Sequence, residues 1–205
     1  MATTHAYAGL ALALASLPVT STYAPTSSLL IAAFVGGLLP DLDLTTSHRK
    51  TLHYPVVYPA VAGGLLVASQ VFGSEPLFLL AVAAASAGFH SLTDILGGGV
   101  GYEPWKSTSK KAVYNHVLGR WHTPRRVVRY SGAPEDFAVC AAIAVPTLLA
   151  RPTGTTLDVI LALLLVGSGF YVATRRQFSL IASSIRAVVP RTLLERLPQI
   201  RFEDG

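Results

Sequence analysis

The sequence predicts an all-α fold: a polytopic helical bundle of about four to six membrane segments, followed by an amphipathic helix at the membrane interface. Of the 205 residues, 51% are hydrophobic and only 13% are charged, whereas soluble domains carry about 25% charged residues. The mean hydropathy is +0.49, and apolar runs free of acidic and basic residues fill most of the chain. This composition excludes an ordinary water-soluble domain.

Six apolar runs are candidate membrane helices. A helix needs about 20 apolar residues to cross the bilayer core, so the third, fourth and sixth runs are long enough. The other three are short and are open to interpretation as half-buried helices, a re-entrant pair, or spans completed by their polar flanks. In chain order, the runs cover residues 7–19, 28–39, 54–72, 76–96, 137–150 and 156–173.

The remaining chain divides into one membrane domain and a tail. Packing of the runs in one bundle predicts a single domain over residues 1–175, with a basic cytoplasmic tail over residues 176–205. Residues 177–201 mix apolar side chains with arginines, which is typical of a helix lying in the membrane interface. We expect a break in this helix near Pro190.

The basic residues predict the orientation of the chain. If all six runs cross, every lysine and arginine except Arg151 lies on one side of the membrane. The positive-inside rule then places both termini and both long links in the cytoplasm of a multi-pass cell (plasma or inner) membrane protein. The net charge of +5 is thus explained by topology and by contact with anionic lipid, and no nucleic-acid partner is predicted.

The single cysteine, Cys140, lies in an apolar run. It can form neither an internal disulfide framework nor a thiolate zinc site, and we expect it to act as a small hydrophobic side chain.

Most of the acidic and histidine side chains in the first half of the chain fall at the predicted cytoplasmic ends of the early runs. Each has a structural alternative, as a helix cap, as interfacial polarity or as an intramembrane hydrogen bond. Their convergence at one membrane depth nevertheless favours a functional site, because intramembrane ionisable residues are costly. The set is His5, Asp41, Asp43, His48, His53, His90 and Asp94.

The spacings indicate a metal site built from several elements. His90 and Asp94 are four residues apart and share one face of a helix. Asp41 and Asp43 follow Pro40 in a locally extended stretch, and two such close carboxylates repel unless a cation or a proton lies between them. Imidazole and carboxylate ligands without thiolates suit a divalent metal, with zinc first and manganese or iron as alternatives, and seven ligands could hold two ions.

These motifs resemble those of the YdjM-like family of inner-membrane-associated metal-dependent hydrolases. The resemblance covers about residues 4–105 and rests on Thr4-His5 with Gly9, on residues 37–43, on His48-Arg49 with His53, and on His90 with Asp94. It implies that all seven side chains form the metal site. It also implies hydrolase activity and a regulatory protein partner, since family members are described as partners of a transcriptional repressor. The pattern is similar, too, to that of zinc-dependent phospholipase C, which favours phosphoester substrates.

The predicted function is therefore hydrolysis of a small-molecule or lipid-like substrate, in which a metal-activated water attacks the scissile bond at the cytoplasmic face. Asp43 and Asp94 are the candidate catalytic residues, either as a base or by orienting a ligand histidine. Two other interpretations remain: a metal-binding or metal-transport protein, and a regulatory membrane protein with a structural metal.

The link over residues 97–136 could complete a substrate site. Its basic side chains are candidates for phosphate binding, although topology also explains them, and its two histidines are expected to be interfacial. Its acidic side chains are expected to be solvated. These residues are Lys106, Arg120, Arg125 and Arg126; His116 and His122; and Glu103, Glu135 and Asp136.

Overall fold

A computed structural model describes residues 1–101, 103–150 and 155–188, and in this part of the chain the fold is helical. Each of the six predicted runs coincides with an α-helix, which confirms the helical class. The helices are α1 (Ala2–Thr20), α2 (Thr26–Leu38), α3 (Val57–Phe72), α4 (Glu75–Thr93), α5 (Pro134–Leu149) and α6 (Thr155–Val188).

The first five helices pack into a bundle through small residues. Helix α1 lies between α2 and α5, while α4 contacts both α2 and α3. A Cβ atom at Gly9 would come within 2.7 Å of the Ala33 carbonyl oxygen, and one at Gly36 would overlap the backbone of Ala83. Glycine at these positions lets α2 approach its neighbours closely. Cys140 is fully buried in the core beside Tyr7 and Leu10, in agreement with its predicted hydrophobic role.

The outside of the bundle is apolar. Phe72 is 75% exposed and Leu149 is 78% exposed, as expected for side chains that face lipid. In the part of the chain that the structure describes, three helical stretches are long and apolar enough to cross a membrane, Thr26–Leu44, Glu75–Leu96 and Thr156–Phe178, and α3 is a shorter apolar helix. These stretches bear out the membrane class, while the number of spans, four to six, stays a prediction.

Two boundaries differ from the sequence prediction. The third helix begins at Val57 rather than Tyr54, because Pro55 disfavours the helical conformation of the residue before it. Helix α6 continues to Val188, past the end of the sixth apolar run at residue 173. The break expected near Pro190 lies outside the described residues.

The two long links meet at one end of the bundle. Residues 39–45 form a 3₁₀ turn that directly continues α2. The second link contains an antiparallel pair that the sequence did not predict, β1 (Tyr114–Asn115) and β2 (Arg120–Trp121). The Tyr114 backbone N–H donates to the Arg49 carbonyl over 3.0 Å and joins the two links. The start of α1 and the ends of α2 and α4 lie at this same end.

Candidate metal centre

All seven side chains singled out from the sequence lie in one network of contacts at the linked end of the bundle. His5 comes from the first turn of α1, and His90 and Asp94 come from the end of α4. The 3₁₀ turn supplies Asp41 and Asp43, and the link after it supplies His48 and His53. Four of the seven form the centre of the network: ligand atoms of Asp41, His53, His90 and Asp94 all lie within 4.8 Å of one another.

The ring of His90 is fixed by the backbone of α2. Its Nδ1 atom lies 2.7 Å from the Gly37 carbonyl oxygen, and since a carbonyl only accepts, Nδ1 must carry a proton. In the neutral ring the Nε2 atom then presents a lone pair. This Nε2 lies 3.6 Å from Asp41 Oδ1 and 3.6 Å from Asp94 Oδ2, so a lone pair faces two carboxylate oxygens.

His53 repeats this arrangement with a carboxylate in place of the carbonyl. Its Nδ1 lies 3.0 Å from Asp43 Oδ2, and its Nε2 lies 3.2 Å from Asp94 Oδ2 and 3.8 Å from Asp41 Oδ1. Among the described residues, the Nε2 atoms of both histidines and Asp94 Oδ2 are buried without a hydrogen-bond partner. Each such orphan costs about 1–3 kcal/mol, and converging orphans point to an ion between them.

The four distances between imidazole nitrogens and carboxylate oxygens are close to those around a tetrahedral ion. Ligand atoms about 2.0–2.2 Å from zinc lie about 3.3–3.6 Å from one another. The four separations between the imidazole Nε2 atoms and the carboxylate oxygens run from 3.2 to 3.8 Å. This buried Asp, His, His and Asp group could therefore hold one metal ion.

The electrostatic field at the group favours a cation. Burial disfavours the imidazolium and lowers the pKa of His53, but the hydrogen bond to Asp43 and the charge of Asp94 outweigh burial and raise this pKa above its usual range. The carboxylates thus more than offset the loss of solvation for a positive charge at this position.

Asp43 is not one of the four central side chains, but it supports them through hydrogen bonds. It is 1% exposed, and its Oδ1 lies 2.8 Å from His48 Nδ1. Its Oδ2 accepts from the Leu52 backbone N–H over 3.2 Å as well as from His53. Because both oxygens are occupied, Asp43 fixes the orientation of two histidines.

His5 covers the other side of the group. Its ring stacks on His90 with 3.9 Å between the centroids. Its Nε2 lies 3.1 Å from Asp94 Oδ1 and its Nδ1 lies 3.1 Å from Thr93 Oγ1. His5 therefore positions Asp94 and His90 from α1.

Arg49 is a further member of the site that the sequence prediction assigned only to topology and to the family motif. It is 4% exposed, with Nε 3.2 Å from Asp94 Oδ2 and Nη2 3.3 Å from Asp94 Oδ1. Its Nη1 donates to the Gly98 carbonyl over 2.6 Å. A buried charge is tolerated only when paired in this way, so Arg49 holds Asp94 in place. Its position directly after His48 was the one signal in the sequence.

The other candidates in the second link lie apart from the centre. His116 Nε2 bonds the Lys50 carbonyl over 2.6 Å, and His122 Nε2 lies 3.2 Å from Asn115 Nδ2, in agreement with non-ligand roles. Asp136 is buried, whereas the sequence predicted a solvated side chain. It is 4% exposed and accepts hydrogen bonds from the Gly132 N–H and the Thr4 hydroxyl, because the start of α5 packs against α1.

A cleft of about 670 Å³ opens beside the group. Asp41 and His48 line one end of it, whereas His53 and His90 are fully buried behind them. A small molecule could therefore reach the group from the side of Asp41.

Comparison of the chain with protein-family models, with curated proteins and with solved structures finds no match. The resemblance to the YdjM-like family stays a prediction from the sequence motifs.

Proposed function

We propose that this protein is an integral membrane metal-dependent hydrolase that cleaves a membrane-proximal phosphoester or lipid-like substrate at the cytoplasmic face. One observation carries the proposal: two imidazole Nε2 atoms and two carboxylates converge within 4.8 Å beside a cleft that Asp41 and His48 line. Catalytic metal sites keep a coordination position accessible to water or substrate, and here the cleft reaches the group beside Asp41.

The donor set fits zinc, with manganese or iron as alternatives. Asp41, His53, His90 and Asp94 would hold the ion. A bound divalent cation supplies a Lewis acid and lowers the pKa of water so that it can act as a nucleophile near neutral pH.

The residues around these four hold them in place. The Gly37 carbonyl and Asp43 direct the Nε2 atoms of His90 and His53 inward, the kind of outer support on which metal affinity depends. Arg49 offsets the charge of Asp94. Because both oxygens of Asp43 accept hydrogen bonds and Asp94 would bind the ion, these two carboxylates are better suited to orienting and binding than to acting as a free base.

His48 is the side chain best placed to move a proton. It lines the cleft, and its Nδ1 is bonded to Asp43, so its Nε2 atom remains to take a proton from the attacking water or to give one to the leaving group. A buried carboxylate behind an imidazole stabilises the imidazolium that forms during such a transfer.

The orientation of the protein is part of the proposal. The end of the bundle that holds the site carries both basic links, with Arg49, Lys50 and the lysines and arginines of residues 97–133. The positive-inside rule favours placing this end in the cytoplasm of the cell membrane, against anionic lipid head groups.

The test is to purify the protein in mild detergent, measure bound metal, and assay phosphomonoesters, phosphodiesters and phospholipids. We expect about one metal ion per chain, and loss of both metal and turnover in Asp41→Ala and His53→Ala. His122→Ala, a histidine outside the group, serves as the matched control and should keep both. Wild-type protein without metal would refute the proposal, and metal without turnover would favour a structural or transport role.

A further inference from the structure

The cleft beside the metal group has two chemically distinct parts. Asp41 and His48 lie at its polar end, and the N-terminal residues of α1 and residues 99–101 form part of its wall. One face of α6 forms the other part, from Leu163 to Phe178, which spans about 22 Å along the helix axis. The volume of about 670 Å³ lies within the range of small-molecule sites, about 300–1,000 Å³.

The α6 side of the cleft is apolar and open to lipid. Leu163, Leu164 and Gly167 line it, and Leu163 is 65% exposed. Only 11% of the apolar stretch of α6 is buried, so in a bilayer this side faces hydrocarbon chains. A wholly water-soluble ligand would contact only the polar end of the cleft, whereas an alkyl chain could enter from the bilayer and lie along this wall.

A guanidinium lies in the same cleft near the cytoplasmic end of α6. Arg175 lines the cleft, and among the described residues its Nη1 atom is buried without a hydrogen-bond partner. The rings of Tyr130 and Tyr171 hold the guanidinium, 5.7 and 5.5 Å from its central carbon. Arginine donors in a fixed fork match phosphate oxygens, and Arg49, the other arginine of the cleft, is committed to Asp94.

We infer that the cleft binds an amphiphile with a phosphate monoester head group and a single long apolar chain. The head group lies between Arg175 and the Asp41 end of the metal group, and the chain lies along Leu163, Leu164 and Gly167. This inference rests on the proposed function and names its substrate class. Inorganic or sugar phosphates share the head-group chemistry, but the apolar wall distinguishes the amphiphile from them.

Binding can be measured apart from turnover. The protein with zinc is placed in phosphatidylcholine nanodiscs and titrated with three probes: lysophosphatidic acid, glycerol phosphate, and monoacylglycerol with the same chain. We expect lysophosphatidic acid to bind at least about tenfold more tightly than either of the others, because it alone contacts both parts of the cleft.

Two glycine positions give a matched pair of variants. A Cβ atom at Gly167 or at Gly64 meets no atom of the described ranges within 4 Å, so leucine fits the backbone at both, but only Gly167 lines the cleft. Gly167→Leu should weaken lysophosphatidic acid about tenfold or more by filling the space of the chain, and Gly64→Leu should not. Gly167→Ala should give a smaller loss, and metal content should stay unchanged in all three.

Two arginines give the second pair. Arg175 stacks on Tyr171 in the cleft, and Arg176 lies over Trp105 outside the cleft lining, 5.9 Å from the ring. Arg175→Gln should weaken lysophosphatidic acid about tenfold and leave monoacylglycerol unchanged. Arg176→Gln should alter neither.

The outcomes separate the inference from the proposed function. Hydrolysis of soluble phosphoesters together with wild-type lipid affinity in Gly167→Leu and Gly167→Ala would overturn the inference alone. Equal affinity for lysophosphatidic acid and monoacylglycerol would overturn the phosphate head group. Tight lysophosphatidic acid binding that both variant pairs alter as expected, in a protein without turnover, would support the inference and refute the hydrolase.

Discussion

Replacement of Asp43 by asparagine tests whether metal binding depends on the hydrogen bonds between Asp43 and the two histidines. Asp43 accepts from the Nδ1 atoms of two histidines, at 2.8 Å from His48 and at 3.0 Å from His53. Asparagine has nearly the same size but only one carbonyl oxygen, so its NH₂ group must face one of the two rings. At least one histidine then loses its acceptor, and if that ring is His53, its Nε2 is no longer held toward Asp41 and Asp94.

The expected loss of zinc affinity follows from the hydrogen bond that the substitution removes. A hydrogen bond to a charged group contributes about 1.5–3 kcal/mol, and removal of such an outer partner typically lowers metal affinity about 10- to 100-fold. The two estimates agree, because each tenfold change corresponds to about 1.4 kcal/mol. We therefore expect Asp43→Asn to bind zinc about 10- to 100-fold more weakly than the wild type, and Asp41→Ala to lose more.

The measurement is a zinc competition titration against a chromogenic chelator, in detergent. Asp136→Asn is the control, since Asp136 is a buried carboxylate with several hydrogen bonds that lies outside the group. Zinc affinity in Asp43→Asn within about twofold of the wild type would refute the orienting role. A loss as complete as in Asp41→Ala would show that Asp43 is itself a ligand.

Four further predictions concern the stability of the site, its metal and the topology of the chain. Gly37→Ala should destabilise the protein by about 1–3 kcal/mol and weaken zinc binding, because its Cβ would lie 2.8 Å from the His5 carbonyl oxygen; thermal unfolding measures this, with Gly64→Ala as the control. Zinc at 100 times its dissociation constant should stabilise the wild type by about 2.7 kcal/mol, and His90→Ala but not His122→Ala should abolish this shift. Arg49→Lys should lower the unfolding free energy by about 1–3 kcal/mol, since an ammonium cannot reach both Asp94 and the Gly98 carbonyl as the fork does. A reporter enzyme fused to the C-terminus should be active only in the cytoplasm, and a signal from the opposite side would contradict the topology.

The positions of the seven side chains were predictable because membrane topology restricts depth. Apolar runs alternate in direction, so the start of α1 and the ends of α2 and α4 must lie on the same side when each run crosses. His5, Asp41 and His90 are far apart in sequence, and the structure places them at one end of the bundle. The helical classes of the runs followed from their apolar composition.

The sequence did not predict which role each of the seven side chains has in the site. Spacing does not show that Asp43 bonds both His48 and His53 while Asp41 faces the cleft. That difference depends on a 3₁₀ turn, in which residues two apart do not share a face as they would in the extended stretch that was predicted. The short β1 and β2 pair was missed because two-residue strands leave no periodicity to detect.

The burial of Arg49 is a second feature that the sequence did not predict. A basic residue in a cytoplasmic link is already explained by the positive-inside rule, so nothing in the sequence marks it as buried. Its backbone has a φ of +61°, a conformation that costs a non-glycine residue free energy. That cost is offset by contacts of the side chain with Asp94 and the Gly98 carbonyl.

The contacts within the metal group also connect metal binding to the packing of the end of the bundle where the two links meet. The centre brings together α1, the end of α2, both links and the end of α4, and two carboxylates of the group face imidazole lone pairs. Without a cation or a proton these electron pairs repel, which pushes the elements apart. A bound metal would reverse the sign of this interaction and contribute its binding free energy to the folded state. Chelation should therefore loosen this end first, so that hydrogen exchange rises at the ends of α2 and α4 before it rises in the core around Tyr7 and Cys140.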